Sequence, residues 1–365
     1  TDGEHIWFGT ETGGINLLNP RQLSIRSYRH DKENPSSLSY NPVNAIYEDA
    51  YGTLWVGTVE GGLNRKERNS EDFTHYTREH GGLSHNSVSA LTSDADNHLW
   101  IGTWGGGLNL LDLKAPRQIL EVISSQTGGG FPINFIGVLN YDPINEGIWI
   151  GANQGLYFYD PVKKEITAPL PDKAAENIHG CIGSIIDKEG KLWVGCLEGV
   201  YIIDLHSRSS KGEFQYRHLN YKLDDPSSRL IEKITCFYQG KDGTLWLGSN
   251  GYGIYQRKID AQGKEQFISY STAQGLPNNS VRGILEDNNG NLWISTNNGL
   301  SCYHQAENRF INYTIQDGLI DTQFYWNASC GSSHDLLYFG SVGGLVAIES
   351  NRPAASLPAA KVRFT

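Results

Sequence analysis

Acidic residues cluster in several predicted turns of this 365-residue chain. Such clusters could do chemistry, because grouped carboxylates bind calcium. The stretch Asp287-Asn288-Asn289-Gly290-Asn291 begins as a calcium loop does, but no Glu follows at the distance a bidentate ligand needs. Related turns recur along the chain, so the sequence favours side-chain-capped turns over a metal site. Phosphate-binding, nucleophile-elbow and zinc-protease motifs are missing from the sequence. We therefore expect no catalytic residue, no metal and no cofactor, while a carboxylate pair assembled from distant segments stays open.

Aromatic and amide side chains suggest another chemistry, the binding of sugars. Aromatic rings stack on the apolar faces of sugar rings, while amides and charged groups bond to the hydroxyls. Of the nine tryptophans, Trp104 and Trp326 lie outside the repeat described below. The alternative is that the Asn residues of these loops serve the turns and the aromatic residues pack the loops. The predicted ligand site consists of residues that interrupt the repeat: Trp104, Trp326, Tyr325, Tyr252, Asn250, Glu198, Asn153, Asn297, Arg229 and His179, with Phe135 and Gln154 in the same group of loops.

The elements that must position these residues are copies of one repeat. Each copy has an alternating apolar strand (A), a turn rich in Asp, Asn and Gly, a Trp strand (B), a Gly-rich turn, an alternating strand (C) and a short aromatic strand (D). A period in the mid-forties with four short strands predicts an all-β fold, a β-propeller of four-stranded blades with the tryptophans packed between blades. The Trp-strand core, LWVGT or a close variant, occurs at 6–10, 54–58, 99–103, 148–152, 192–196, 245–249, 292–296 and 337–341.

The order of the strands predicts seven blades, with eight as the alternative. The last repeat lacks a D strand, while residues 23–30 form a D-like segment with no A strand before it. Pairing these two ends closes the ring and leaves no open sheet edge. Residues 1–20 are then predicted to be the remnant of a preceding blade, and residues 21–352 the propeller. The D–A and B–C connections of such a ring share one face, around the mouth of the central channel.

The amino-acid composition of the chain limits the kinds of partner that it can bind. The formal net charge of −10 argues against nucleic acid or an anionic membrane surface, and the apolar runs are too short for a transmembrane helix. The chain shows no signal peptide and does not begin with Met, so we expect a piece of a longer protein. The five cysteines lack zinc-type spacing and are expected to be buried. Cys181 and Cys196 are predicted to face each other across an A–B hairpin, where a disulfide would be strained.

The repeat resembles the two-component-regulator propeller repeat over essentially the whole chain, for example in residues 33–64 and 275–300. The final repeat, 316–350, resembles the terminal repeat of the sensor region in hybrid two-component regulators. The tail resembles the first strand of the β-sandwich that follows there, so residues 353–365 are interpreted as a linker and that strand. The resemblance implies a periplasmic oligosaccharide sensor that dimerises, signals to a histidine kinase and controls glycan-utilisation genes. No residue-level binding motif carries over from the family.

Three functions remain open at this point. The first is a non-enzymatic sensor with an oligosaccharide and a second copy of the chain as partners, no nucleic acid, and a membrane only through segments outside this sequence. The second is a propeller polysaccharide lyase or glycoside hydrolase, which requires a close carboxylate pair or a histidine with a metal at the channel mouth. The third is a protein-interaction scaffold. The sequence favours the first.

Overall fold

A computed structural model describes residues 6–10, 14–18, 24–125, 133–171, 178–197, 199–219 and 233–350. These residues form seven four-stranded antiparallel sheets and one two-stranded sheet, so the predicted all-β propeller of seven blades is confirmed. Within each blade the strands follow one another from A to D, and the A strands of neighbouring blades contact each other around the channel. Short 3-10 turns follow some strands, at Leu205–Ser207, Thr272–Gln274, Gln305–Glu307 and Ile315–Asp317.

The strands are short, as alternating apolar runs of five or six residues predict. The two-stranded sheet is β1 (Ile6–Thr10) and β2 (Gly14–Leu18), and it is followed by β3 (Ser24–Tyr28). Blade 1 contains β4 (Val43–Glu48), β5 (Leu54–Thr58), β6 (Leu63–Lys66) and β7 (Phe73–Tyr76). Blade 2 contains β8 (Val88–Ser93), β9 (His98–Thr103), β10 (Leu108–Asp112) and β11 (Ile119–Ile123). Blade 3 contains β12 (Ile136–Asp142), β13 (Gly147–Ala152), β14 (Gly155–Asp160) and β15 (Glu165–Thr167).

The remaining four blades follow the same plan. Blade 4 contains β16 (Gly183–Ile186), β17 (Lys191–Cys196), β18 (Gly199–Asp204) and β19 (Tyr216–Leu219). Blade 5 contains β20 (Ile234–Gln239), β21 (Leu245–Ser249), β22 (Ile254–Ile259) and β23 (Glu265–Tyr270). Blade 6 contains β24 (Val281–Glu286), β25 (Leu292–Thr296), β26 (Gly299–His304) and β27 (Arg309–Tyr313). Blade 7 contains β28 (Phe324–Gly331), β29 (Leu336–Ser341), β30 (Gly344–Glu349) and, as its outer strand, β3.

The ring is closed by β3, the D-like segment near the start of the chain. This strand pairs antiparallel with β30, from Ser24 opposite Glu349 to Tyr28 opposite Leu345. The inner strands of blades 7 and 1 also contact each other, so the two ends of the propeller meet. The predicted closure is therefore confirmed, whereas the interpretation of residues 1–20 as a blade remnant stays a prediction.

In blades 1 to 6 the tryptophan of the repeat packs between neighbouring blades, because a large flat side chain fills the gap that two twisted sheets leave. Its indole N–H also needs a hydrogen-bond partner once buried. In five blades the Asp of the A–B turn accepts this N–H through Oδ2 at 2.7–3.0 Å and caps its own turn through Oδ1. The predicted side-chain-capped turns are thus confirmed. The acceptor and tryptophan pairs are Asp49–Trp55, Asp94–Trp100, Asp142–Trp149, Asp187–Trp193 and Asp287–Trp293.

Replacing Asp142 by alanine is expected to destabilise the propeller by about 3 kcal/mol, measured by urea unfolding. The Asp142 carboxylate is fully buried and accepts hydrogen bonds from Trp149 and from the backbone and side chain of Asn145. Its loss would leave a buried indole N–H without its acceptor, which is the costly outcome. Asp242 provides the matched control, because its exposed carboxylate caps a turn without bonding to a tryptophan. An equally small loss in Asp142→Ala and Asp242→Ala would contradict this role.

In blades 1 to 5 the glycine two positions after the tryptophan of the repeat leaves room for the next blade. A Cβ atom added to Gly57 would lie 2.5 Å from Val88 Cγ1, and one added to Gly102 would lie 2.6 Å from Ile136 Cγ2. Blade 6 has Ser295 at this position, and the residue opposite it on the inner strand is Gly283. The larger side chain of Ser295 is therefore compensated within the blade, because the residue opposite it, Gly283, has no side chain.

Candidate functional site

The inner strands bend at the channel mouth because an extra residue interrupts their pairing near the first position. In blades 1, 2, 3, 5 and 6 the register of the A–B pair shifts at the second residue of the A strand. A bulge of this kind unpairs one residue and re-aims its side chain. The five bulge residues are Asn44, Ser89, Gly137, Thr235 and Arg282.

Three of the bulge side chains are satisfied by the blade that follows. Asn44 Nδ2 donates to the carbonyl of Val88 at 3.2 Å, and Ser89 Oγ donates to the carbonyl of Ile136 at 2.6 Å. Thr235 Oγ1 donates in the same way to the carbonyl of the first residue of β24 at 2.8 Å. These bonds join neighbouring inner strands at the level of the mouth.

Blade 7 departs further from the repeat and carries the most exposed tryptophan of the described chain. Residues 325–328 of its inner strand stand opposite the single residue Gly340. Asn327 has a positive φ of 53°, in the left-handed region that Asn tolerates better than most residues. The excursion places Trp326 at the mouth, where its side chain is 41% exposed. The distortion therefore exposes the ring of Trp326, which a regular strand would have buried.

A cavity of about 440 Å³ lies at this mouth, between the loops and inner strands of blades 1 to 4 and Trp326 of blade 7. Its volume falls in the range of small-molecule binding sites, roughly 300–1,000 Å³. Aromatic rings and amide side chains both line it, which is the combination expected of a sugar site. The lining residues are Asn44, Ser89, Trp104, Phe135, Gly137, Asn153, Gln154, Gly180, Cys181, Ile182 and Trp326.

The cavity brings together part of the predicted ligand site. Trp104, Trp326 and Asn153 line it, as do Phe135 and Gln154 from the same loops. The other predicted residues lie elsewhere. Tyr252 and Asn250 lie on the B–C turn of blade 5, Asn297 lies on that of blade 6, His179 is exposed beside Gly180, and Tyr325 is half-buried beside Trp326. Glu198 and Arg229 lie outside the described residues.

Two asparagines of the mouth stabilise the loops through hydrogen bonds to the backbone. The backbone carbonyls of Asn86 and Asn279 accept the N–H groups of Gly62 and Gly253 in the preceding blade's Gly-rich turn, both at 2.8 Å. Their side-chain oxygens accept further backbone N–H groups within their own loops, at 2.8 Å. For these two residues the turn-forming interpretation holds, so the ligand site is narrower than the complete set of mouth amides.

Arg282 is the residue of this region that the sequence analysis missed. It occupies the bulge position of blade 6, is 8% exposed, and its Cζ lies 4.9 Å from the ring centroid of Trp326. Burial lowers the pKa of the Arg282 guanidinium from its ordinary value. A comparison of the internal repeats could have found it, because VRGILED aligns with VNAIYED and VSALTSD and places an arginine where Asn44 and Ser89 stand.

The two cysteines predicted to face each other do so at the wall of the cavity. Cys181 Sγ and Cys196 Sγ are 3.2 Å apart as buried thiols, not as a disulfide. Cys181 lines the cavity, while Cys236 and Cys302 are buried in other blades. Burial raises the pKa of the Cys236 and Cys302 thiols to about 12, so both stay protonated at neutral pH. They therefore act as small apolar core residues, as expected, whereas Cys330 is only partly buried.

The fold and the mouth define a closed seven-bladed propeller built from repeats, with an aromatic-walled cavity at one end of its channel. Residues 37–60, 82–105, 230–251 and 275–298 match a family described as two component regulator propeller. Four segments of the chain thus match the two-component regulator propeller repeat, and the predicted resemblance is confirmed. The chain is also 26% identical over 172 residues, 46% of its length, to histidine kinase P4 of Formosa agariphila, of which those residues cover 12%.

Solved structures agree with this similarity. The extracellular domain of the hybrid two component system BT3049 from B. thetaiotaomicron is 27% identical, with a TM-score of 0.75 over 95% of this chain and 44% of that one. The chain therefore spans less than half the length of these two relatives, and the BT3049 structure that it matches is an extracellular domain. A streptogramin B lyase structure, 14% identical with a TM-score of 0.62 over 89% of this chain and 97% of that one, shares the fold alone. Among the described residues, no helix is both long and apolar enough to cross a membrane.

Proposed function

We propose that this chain is a periplasmic sensor propeller of a hybrid two-component regulator and that it binds an oligosaccharide at the channel mouth. Occupancy would change how the propeller packs against following domains and against a second copy of the chain, and this change would signal to a histidine kinase. Such signalling requires that the sugar bind one packing arrangement better than the other.

The observation that carries the proposal is the cavity walled by Trp104, Phe135 and Trp326. Phe135 and Trp326 are 53% and 41% exposed, so both rings are accessible to a ligand in the cavity that they line. Asn153 and Gln154 lie on an adjacent turn of blade 3, where their amides can donate to and accept from sugar hydroxyls. A flat apolar face beside amides suits a sugar ring better than it suits an apolar ligand.

The proposed location and output follow from the similarity to extracellular regions of two-component systems. Because this chain covers only part of those relatives, the kinase, the dimer and the control of genes are proposals about the whole protein. The bulge layer of the inner strands would carry a change at the mouth to neighbouring blades, since its side chains link one inner strand to the next.

Calorimetric titration of the purified chain with neutral and acidic oligosaccharides from plant and host glycans tests the proposal. Each sample is then examined for cleavage by mass spectrometry. We expect saturable binding of one glycan class without cleavage. Cleavage of the bound glycan would favour the lyase or hydrolase alternative, and no binding across the panel would overturn a sugar site at this mouth.

A further inference from the structure

The guanidinium of Arg282 lies at the channel mouth without an acceptor for its buried N–H groups. Its Nε and Nη1 atoms have no hydrogen-bond partner among the described residues, and no carboxylate among them interacts with its charge. The equivalent side chains Asn44, Ser89 and Thr235 all donate to the next blade. Arg282 instead places its charged group over Trp326, 4.9 Å from the ring centroid.

This arrangement is costly for the propeller by itself. A buried cation without a counter-ion loses its hydration and gains little in return, and a cation–π contact offsets only part of that loss. By contrast, Arg257 also lies over a tryptophan, 5.0 Å from the Trp193 ring, but it is paired with Glu265 at 2.6 Å. The protein can therefore pair a stacked arginine with a carboxylate, and at the mouth the described residues do not supply one.

We propose that Arg282, held by Trp326, recognises an anionic group of the oligosaccharide, a carboxylate or a sulfate ester. This inference rests on the proposed function and narrows it to acidic glycans. A guanidinium offers two parallel N–H donors to the two oxygens of such a group, and the apolar Trp326 ring beside it excludes water from the pair. The wall of Trp104 and Phe135 would hold the neutral part of the same sugar chain.

Two matched pairs of glycans test the proposal by calorimetry. The first pair is an oligogalacturonate and its methyl ester, and the second is a sulfated galactan oligosaccharide and its desulfated form. We expect the acidic member of one pair to bind about 10-fold to 100-fold more tightly than its neutral twin, and Arg282→Gln to abolish that difference. Arg282→Lys should retain only part of it, because an ammonium lacks the planar fork. Arg257→Gln is the matched control and should leave both affinities unchanged.

A second measurement needs no ligand. Arg282→Met replaces the unpaired cation with a neutral chain of similar length that also packs against an aromatic ring. We expect its melting temperature to equal or exceed that of the unaltered chain, whereas a clear decrease would mean that the protein itself pairs Arg282 and would overturn the inference. Equal binding of neutral and acidic twins would also overturn it while leaving the sugar site standing. Failure of every glycan to bind would overturn both proposals.

Discussion

Trp326→Ala and Trp104→Ala are each expected to weaken oligosaccharide binding about 30-fold, equivalent to about 2 kcal/mol. The two rings line the same cavity from blades 7 and 2, so each substitution removes one aromatic face on which a bound sugar would stack. The propeller should stay folded, because Trp326 is 41% exposed and Trp104 is half-buried on a turn. Titration calorimetry of each variant with the glycan that binds the unaltered chain measures the loss.

Phenylalanine substitutions at the same positions should restore part of the affinity, since a smaller ring still stacks. Tyr252→Ala serves as a control, because Tyr252 is a similarly exposed aromatic residue, 42%, on a B–C turn outside the cavity lining. Thermal melting of all variants separates loss of binding from loss of fold. Unchanged affinity in both Trp104→Ala and Trp326→Ala would remove the site assignment.

Deleting residues 1–28 is expected to open the ring and to cause the largest loss of stability among the changes considered. The deletion removes β3, so the edge of β30 loses its partner over five residue pairs. It also removes the Tyr28 ring, which packs edge-on against Phe73 of blade 1 at 5.6 Å between centroids. An unpaired strand edge promotes pairing with other chains, so aggregation should accompany a lower melting temperature.

Deleting residues 1–18 instead is the matched control, because it removes the separate two-stranded sheet and leaves β3 in place. That shorter deletion should melt close to the intact chain and elute as the same species on gel filtration. If both deletions melt alike, the contact between β3 and β30 does not hold the ring together. Tyr28 also provides a finer test, since Tyr28→Ala should destabilise the closure without removing the strand.

Local chemistry made the blades predictable. Alternation of apolar residues defines strands, Asp and Gly define their turns, and one tryptophan per repeat fills the space between sheets, so a single copy contains nearly all the information for a blade. Seven blades were also predicted, because a missing D strand at one end and an unpaired one at the other can pair and close the ring, although the sequence left eight blades as the alternative. Asp142 and its equivalents followed from the same repetition, although their bonds to the indoles did not.

The channel mouth depended on the tertiary structure. Trp104, Asn153 and Trp326 were predictable because they interrupt the repeat, but their meeting in one cavity depends on which blades face each other across the channel. The aligned repeats show Arg282 where Asn44 and Ser89 stand, but only the bulge at that position and the distorted strand of blade 7 bring its guanidinium to Trp326. Repeats determine the contacts within a blade and between neighbours, whereas a site assembled from blades distant in sequence is decided when the ring closes.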